Sequence, residues 1–270
     1  MKTLRVFLSL KLSTHGDVVS ESIVNVPIAD CRLCPFRSKT LLMGRCVPSD
    51  ICVFVESGRQ IDRFFHLNPE YAVHYLKDPF WERRAIAARY APIKFLNDLI
   101  NDEDEVVRRV VAQRLPAPQI TCFLNDPDRE VRMTVADRIE FSHLEKLATD
   151  SDYIVRLTIV KRLPIGRLFR FIKDEDLQVR KKVAERLPEV SLGLMANDIS
   201  PDVRRIVAER MSPEDAAILI HDEDWLVRYT VSLKVELKSL HLLANDPEPD
   251  VREVALQRLN STTQSEENND

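Results

Sequence analysis

Four cysteines fall within twenty-two residues of one another near the start of this 270-residue chain. Cys31, Cys34, Cys46 and Cys52 follow the order Cys-x2-Cys-x11-Cys-x5-Cys, whereas the fifth, Cys122, stands alone. Four thiols in a short, loop-rich segment suit two disulfides, a zinc site or an iron-sulfur cluster. Disulfides require an oxidising compartment. The start of the chain argues against export, because Lys11 interrupts the apolar stretch behind Lys2 and Arg5 and no small-residue cleavage site follows. Thiolates are soft donors, and with no histidine nearby the spacing leaves zinc and iron-sulfur both open. Either would supply folding energy to a segment with few apolar residues of its own. Arg32, Arg37, Lys39, Arg45 and Arg59 are placed either to offset the charge of an all-thiolate centre or to form a solvated surface. Cys122 reads as a partly buried structural thiol.

Little other chemistry presents itself. The histidines at 15, 66, 74, 143, 221 and 241 are scattered, and no glycine-rich phosphate loop or nucleophile elbow exists. The chain is therefore expected not to be an enzyme and to have no small-molecule substrate. Its content is 44% hydrophobic and 30% charged, with a formal net charge of −4, which gives no general attraction to nucleic acid. No apolar run approaches the length of a membrane span. Those features predict a cytoplasmic protein.

The elements that must position the cysteines are announced by a period. From Asp78 to Asp246 an aspartate recurs every twenty-four residues, eight times in all, and each is followed six residues later by an arginine, from Arg84 to Arg252. A fixed short period marks stacked repeats, none of which buries enough apolar surface to stand alone. Within a unit, apolar residues such as Val107, Val111, Ala112 and Leu115 trace one face of a helix of about three turns. Asp126 is expected to cap such a helix, with Asp128 favouring the positive end of its dipole and pairing with Arg132. Pro116, Pro164 and Pro188 stop the helix. The remainder carries a second stripe, as in Leu168, Phe171 and Ile172, of one or two helical turns. Ahead of the cysteines, Leu4, Val6, Leu8, Leu10 and Leu12 alternate as a strand that turns at Ser13–Asp17 into a second strand bearing Val24, Val26 and Ile28. The polar tail from Asn260 reads as disordered.

A four-cysteine cluster followed by units such as Asn125, Asp126, Pro127, Asp128, Val131, Arg132, Val135, Ala136, Arg138 and Ile139 resembles the leucine-rich repeat variant family. The resemblance covers residues 28 to 259. It implies a mainly α fold in which α-helices alternate with 3-10 helices in a right-handed solenoid. It also implies an oxygen-sensitive 4Fe-4S cluster held by Cys31, Cys34, Cys46 and Cys52, with zinc as the alternative, and a setting in bacterial nitrogen fixation. Helical-pair repeats share the Asp-Pro-Asp-x-x-Val-Arg string, but twenty-four residues leave too little chain for two full helices.

The resulting division is a β-hairpin extension over 1–30, a cluster domain over 31–67, eight repeats over 68–259 and a tail over 260–270. The expected function is a non-enzymatic iron-sulfur protein, responsive to oxygen or iron or accessory to nitrogen fixation, whose repeats bind a protein partner. A second basic column, Arg114, Arg138, Arg162, Arg186, Arg210, Lys234 and Arg258, admits two readings. One is a stripe along which nucleic acid could run. The favoured one is a structural ladder in which these cations pair with the repeated acids and cap carbonyls. Tyr71, His74, Tyr75, Phe80 and Trp81 are expected to pack the cysteine segment onto the first repeat, and Trp225 and Tyr229 form a weaker candidate for partner binding.

Overall fold

The computed structural model describes residues 2–4 and 26–267. Most of the expected amino-terminal hairpin, including the strand positions 6–12, the turn 13–17 and Val24, lies outside them. Within them β1 (Lys2–Leu4) pairs antiparallel with β2 (Val26–Ile28), Lys2 opposite Ile28 and Leu4 opposite Val26. The chain forms two compact units, Met1–Glu140 and Phe141–Asp270, described here one at a time.

In the first unit the cysteine segment leads into α1 (Gly58–Leu67) and then into repeats that alternate 3-10 and α-helix. The 3-10 helix Pro69–Tyr75 precedes α2 (Trp81–Tyr90), Ile93–Leu99 precedes α3 (Glu105–Arg114), and Ala117–Phe123 precedes α4 (Arg129–Arg138). The second unit continues the same plan. A turn, α5 (Phe141–Leu144), runs into the 3-10 helix Glu145–Leu147 and is followed by α6 (Tyr153–Arg162), α7 (Leu177–Arg186), α8 (Pro201–Arg210) and α9 (Trp225–Ser232). Between these lie the 3-10 helices Ile165–Phe171, Glu189–Met195 and Asp215–Leu219. The turn α10 (Leu237–Leu240) and the 3-10 helix His241–Leu243 lead to α11 (Pro249–Glu267).

The apolar faces close the core as the spacing predicts. Val107, Val111, Ala112 and Leu115 are fully buried, as are Val179, Val183, Ala184 and Leu187. Where a proline follows, the preceding residue turns to extended geometry: Leu115 has φ −63° and ψ 148°, and α3 ends there. The last helix has no such stop, since Asn260 and Ser261 follow Leu259. It runs on through Glu267, where a disordered tail from residue 260 was expected.

The caps need a correction. The side chain that accepts the first helical N–H groups is the second acid of each pair: Asp128 accepts from Glu130 and Val131 at 2.9 and 3.1 Å, and Asp104, Asp176 and Asp224 act alike. Its carboxylate is thereby committed to the backbone, as N-cap geometry demands. The guanidinium of Arg132 instead donates to the carbonyls of Asp126 and Pro127.

The first acid does two other things. Asp126 accepts the Asp128 N–H at 2.9 Å and, through both oxygens, the fork of Arg108 at 2.8 and 2.9 Å. Arg108 belongs to the preceding repeat and also donates to its own Asp102 carbonyl at 2.8 Å. The pattern recurs between Arg84 and Asp102 in the first unit. In the second it joins Arg156 to Asp174, Arg180 to Asp198, Arg204 to Asp222 and Arg228 to Asp246. These pairs are almost wholly buried, so each guanidinium needs acceptors on every side: its own repeat supplies carbonyls, and the neighbouring repeat supplies the carboxylate.

The other basic column runs backward. Arg114 donates to the carbonyls of Ala88 and Ala91, Arg138 to those of Ala112 and Leu115, and Arg210 to that of Ala184. Each therefore satisfies carbonyls at the end of the previous repeat's helix. The carbonyl half of the expected ladder is present on this column, while the pairing with acids belongs to the Arg84 column.

Candidate metal centre

The four cysteines sit on short, irregular pieces, of which the one holding Cys52 meets the first turn of the first long helix and the one before Cys46 meets its last. Cys31 opens the 3-10 turn Cys31–Leu33, capped by the Asp30 side chain accepting from the Arg32 N–H at 3.0 Å, and Cys34 ends it. A π-turn over Arg37–Leu41 and Gly44, whose φ of 69° favours glycine, then bring the chain back to Cys46. An isolated bridge between Val47 and Ile51 folds the last loop so that Cys52 returns beside α1, its N–H donating to the Gln60 carbonyl at 3.2 Å.

Cys46 and Cys52 are buried, while Cys31 and Cys34 are partly exposed and all four are free thiols. The Cys46 thiol is pushed up to about 11, first by burial and then by the charges of Cys52, Cys34 and Cys31, so the four sulfurs lie within each other's electrostatic reach. The Thr40 hydroxyl, bonded to the Phe36 carbonyl at 3.0 Å, opposes that shift. Burial also raises Cys52, against which the backbone N–H groups of Phe54 and Val55 pull the other way. An open cleft of about 260 Å³, lined by Ile28, Leu33, Cys34, Phe54 and Val55 among others, reaches the Cys34 edge. Among the described residues, no three His, Cys, Asp or Glu side chains converge as a single bound ion would require.

Phe36, in the loop after Cys34, anchors the segment. Its ring lies 4.5 Å from Tyr71 and 5.9 Å from Phe64, with Tyr75 also in reach. Tyr71 and Tyr75 thus fasten the cysteine loop to the first repeat as expected, but His74 and Trp81 are exposed. In the second unit Trp225 is also exposed and Tyr229 is half-buried. The basic residues are largely engaged elsewhere: Arg32 with Asp30, Arg45 with the Leu67 carbonyl and Glu70, and Arg59 with Asp50. Arg37 and Lys39 are exposed. Cys122 departs from expectation. It is exposed on the 3-10 helix Ala117–Phe123, whose buried stripe is Ile120 and Phe123, and its thiol donates to the Gln119 carbonyl at 3.2 Å.

Two side chains that the sequence reading passed over hold this arrangement. Gln60 donates through Nε2 to the Pro27 carbonyl at 3.0 Å, and Asn68 donates through Nδ2 to the Arg45 and Phe64 carbonyls, both at 2.8 Å. A signal for them exists in the spacing: Gln60, Phe64 and Asn68 stand at i, i+4 and i+8, on the buried face of α1.

Fold and site together define a helical repeat protein with an amino-terminal segment of four clustered thiols. Residues 27–74 match a family model described as "LRV protein FeS4 cluster". A solved structure described as a leucine-rich repeat variant with a novel repetitive protein structural motif is 58% identical, covering 86% of this chain and 100% of its own, with a TM-score of 0.83. The chain belongs to the leucine-rich repeat variant family. An "Uncharacterized 27.7 kDa protein in nifB 3'region" of Rhodobacter capsulatus is 40% identical over 88 residues, which span 33% of this chain and 36% of that relative's length. No helix of the described residues is long and apolar enough to cross a membrane.

Proposed function

We propose that Cys31, Cys34, Cys46 and Cys52 ligate a 4Fe-4S cluster and that the repeats bind a protein partner, so that the chain serves as a non-enzymatic accessory factor in nitrogen fixation. The observation that carries the cluster is the donor set itself: four thiols and no other ligand type, with Cys46 in electrostatic reach of the other three. Four thiolates around a single zinc, each about 2.3 Å from the metal, would crowd to about 3.8 Å from one another. A cluster of several irons and sulfides takes the same four thiolates at a wider spacing, and the match of residues 27–74 to a family model described as an FeS4 cluster favours it over zinc. Each thiol would lose its proton on metal binding, including that of Cys46, which donates to the Ile51 carbonyl at 3.1 Å. A bound cluster supplies either one-electron exchange or a signal by its own loss to oxygen.

The preference for a protein partner rests on the second basic column. Arg114, Arg138, Arg186 and Arg210 are committed to backbone carbonyls, and a net charge of −4 opposes polyanions. The tie to nitrogen fixation comes from the relative's location beside nifB. Protein purified without oxygen is expected to be brown, with about four iron and four sulfide per chain, and to bleach in air. Colourless protein carrying one zinc would overturn the reading.

A further inference from the structure

We infer that Gln60 and Asn68 are positioning residues of the thiol centre, making α1 the template that fixes how far apart its ligand-bearing segments lie. The inference rests on the cluster reading above. Both side chains are essentially inaccessible, 2% and 0% exposed. Gln60 touches two of the three cysteine segments at once. Its side chain holds the Pro27 carbonyl, four residues ahead of Cys31, and its own carbonyl accepts the Cys52 N–H. Asn68, just past the end of the helix, holds the Arg45 carbonyl, the residue before Cys46, while the Arg45 guanidinium donates to the Leu67 carbonyl at 2.9 Å. The segments preceding Cys31, preceding Cys46 and containing Cys52 are thereby all tied to one rigid ten-residue helix.

A stability argument alone does not account for these amides. Each leaves its side-chain oxygen, Oε1 of Gln60 and Oδ1 of Asn68, buried with no hydrogen-bond partner. An unmet buried acceptor is costly, and that cost offsets part of what each amide's donated hydrogen bonds contribute to stability. The donor ends are what the positions supply, and those ends reach only the cysteine segments and the end of α1. Groups that orient ligands in this way are expected to matter about 10- to 100-fold for metal retention.

The test compares Gln60→Met, which keeps length and volume but removes both the donor and the unmet oxygen, with the wild-type chain after anaerobic reconstitution. Iron release to an excess of chelator is followed by visible absorption, the reduced centre is recorded by electron paramagnetic resonance, and unfolding is followed by circular dichroism at 222 nm. Expected are iron release at least about tenfold faster and an altered resonance signal, with little change in the unfolding midpoint, because the lost hydrogen bond to the Pro27 carbonyl and the removed unmet oxygen oppose each other. Asn68→Ala is expected to release iron faster by a larger factor than it shifts its midpoint. Wild-type rates and signal in Gln60→Met overturn the inference while leaving the cluster reading intact. A midpoint that falls in step with iron loss also overturns it, since the amide would then be merely structural. A wild-type chain that takes up neither iron nor sulfide refutes the cluster reading, and this inference with it.

Discussion

Asp126 and Asp128 are two residues apart and identical in type, yet the structure gives them different work, and their substitution separates that work. Removing the Asp126 carboxylate strips Arg108 of both oxygens of its fork and the Asp128 N–H of its acceptor, in a pair whose side chains are 11% and 4% exposed. Breaking a buried pair on one side costs about 3 to 5 kcal/mol, because the remaining charge is left without a counterpart. Asp126→Ala is therefore expected to lower the midpoint of thermal unfolding by roughly 6 to 20 °C. Asp126→Asn keeps one acceptor but turns an amide against the guanidinium, for a loss of about 1.5 to 3 kcal/mol. Asp128 behaves as a cap: Ala there costs about 0.5 to 2 kcal/mol, and Asn almost nothing. Circular dichroism at 222 nm during heating measures all four, and Arg108→Met combined with Asp126→Leu should recover more than half of the Asp126→Ala loss, since a buried pair replaced by apolar groups is close to neutral. Asp126→Asn as mild as Asp128→Asn would refute the assignment of Asp126 to an inter-repeat pair.

At the thiol centre, Cys46→Ser should abolish iron binding and colour while Cys122→Ser leaves both unchanged, as iron and sulfide analysis would show. Arg228 holds the Asp246 carboxyl below its ordinary range by a charge-assisted hydrogen bond. A pKa lower in the folded than in the unfolded chain gives stability that is present above the unfolded value, about 3.9, and is lost as pH falls through the folded one. The gap in urea midpoint between wild type and Asp246→Asn should therefore hold at neutral pH and close below about pH 4. Excising residues 165–188 removes one period of twenty-four and joins Pro164 to Glu189. That deletion should give a helical, monodisperse protein by circular dichroism and size-exclusion chromatography, whereas excising residues 165–176 should not.

What the chain's letters disclose here is periodic or local, and what they conceal is set by neighbours far along the chain. The helix faces and the short second stripe follow from spacing within a repeat, the stops from Pro116, Pro164 and Pro188, and the 3-10 geometry from the family resemblance. The division of labour between Asp126 and Asp128 does not, because it depends on Arg108, eighteen residues upstream. Local propensity treats both acids alike. The four cysteines are visible by type and proximity, but Gln60 and Asn68 read as solvated polar residues until the burial of the α1 face is followed in both directions from Phe64. Cys122 lies on the short helix where the spacing puts it, but the 3-10 turn buries Ile120 and Phe123 and leaves the thiol between them exposed rather than partly buried.

Within each of the two units the arginine forks make one repeat a debtor to the next, and this gives the array a grammar of inheritance. At the beginning Asp78 meets no earlier fork among the described residues, and that carboxylate is closed locally by Arg83 of its own repeat at 2.7 Å. The opening repeat thus meets this carboxylate from within itself, while a repeat such as that of Asp102 and Arg108 carries one half of two matched joints. Any in-frame duplication of an internal unit presents a new fork to an old carboxylate and a new carboxylate to an old fork. Copy number can then drift across descendants without a compensating substitution anywhere, and the thiol segment ahead of Asp78 is untouched by the change.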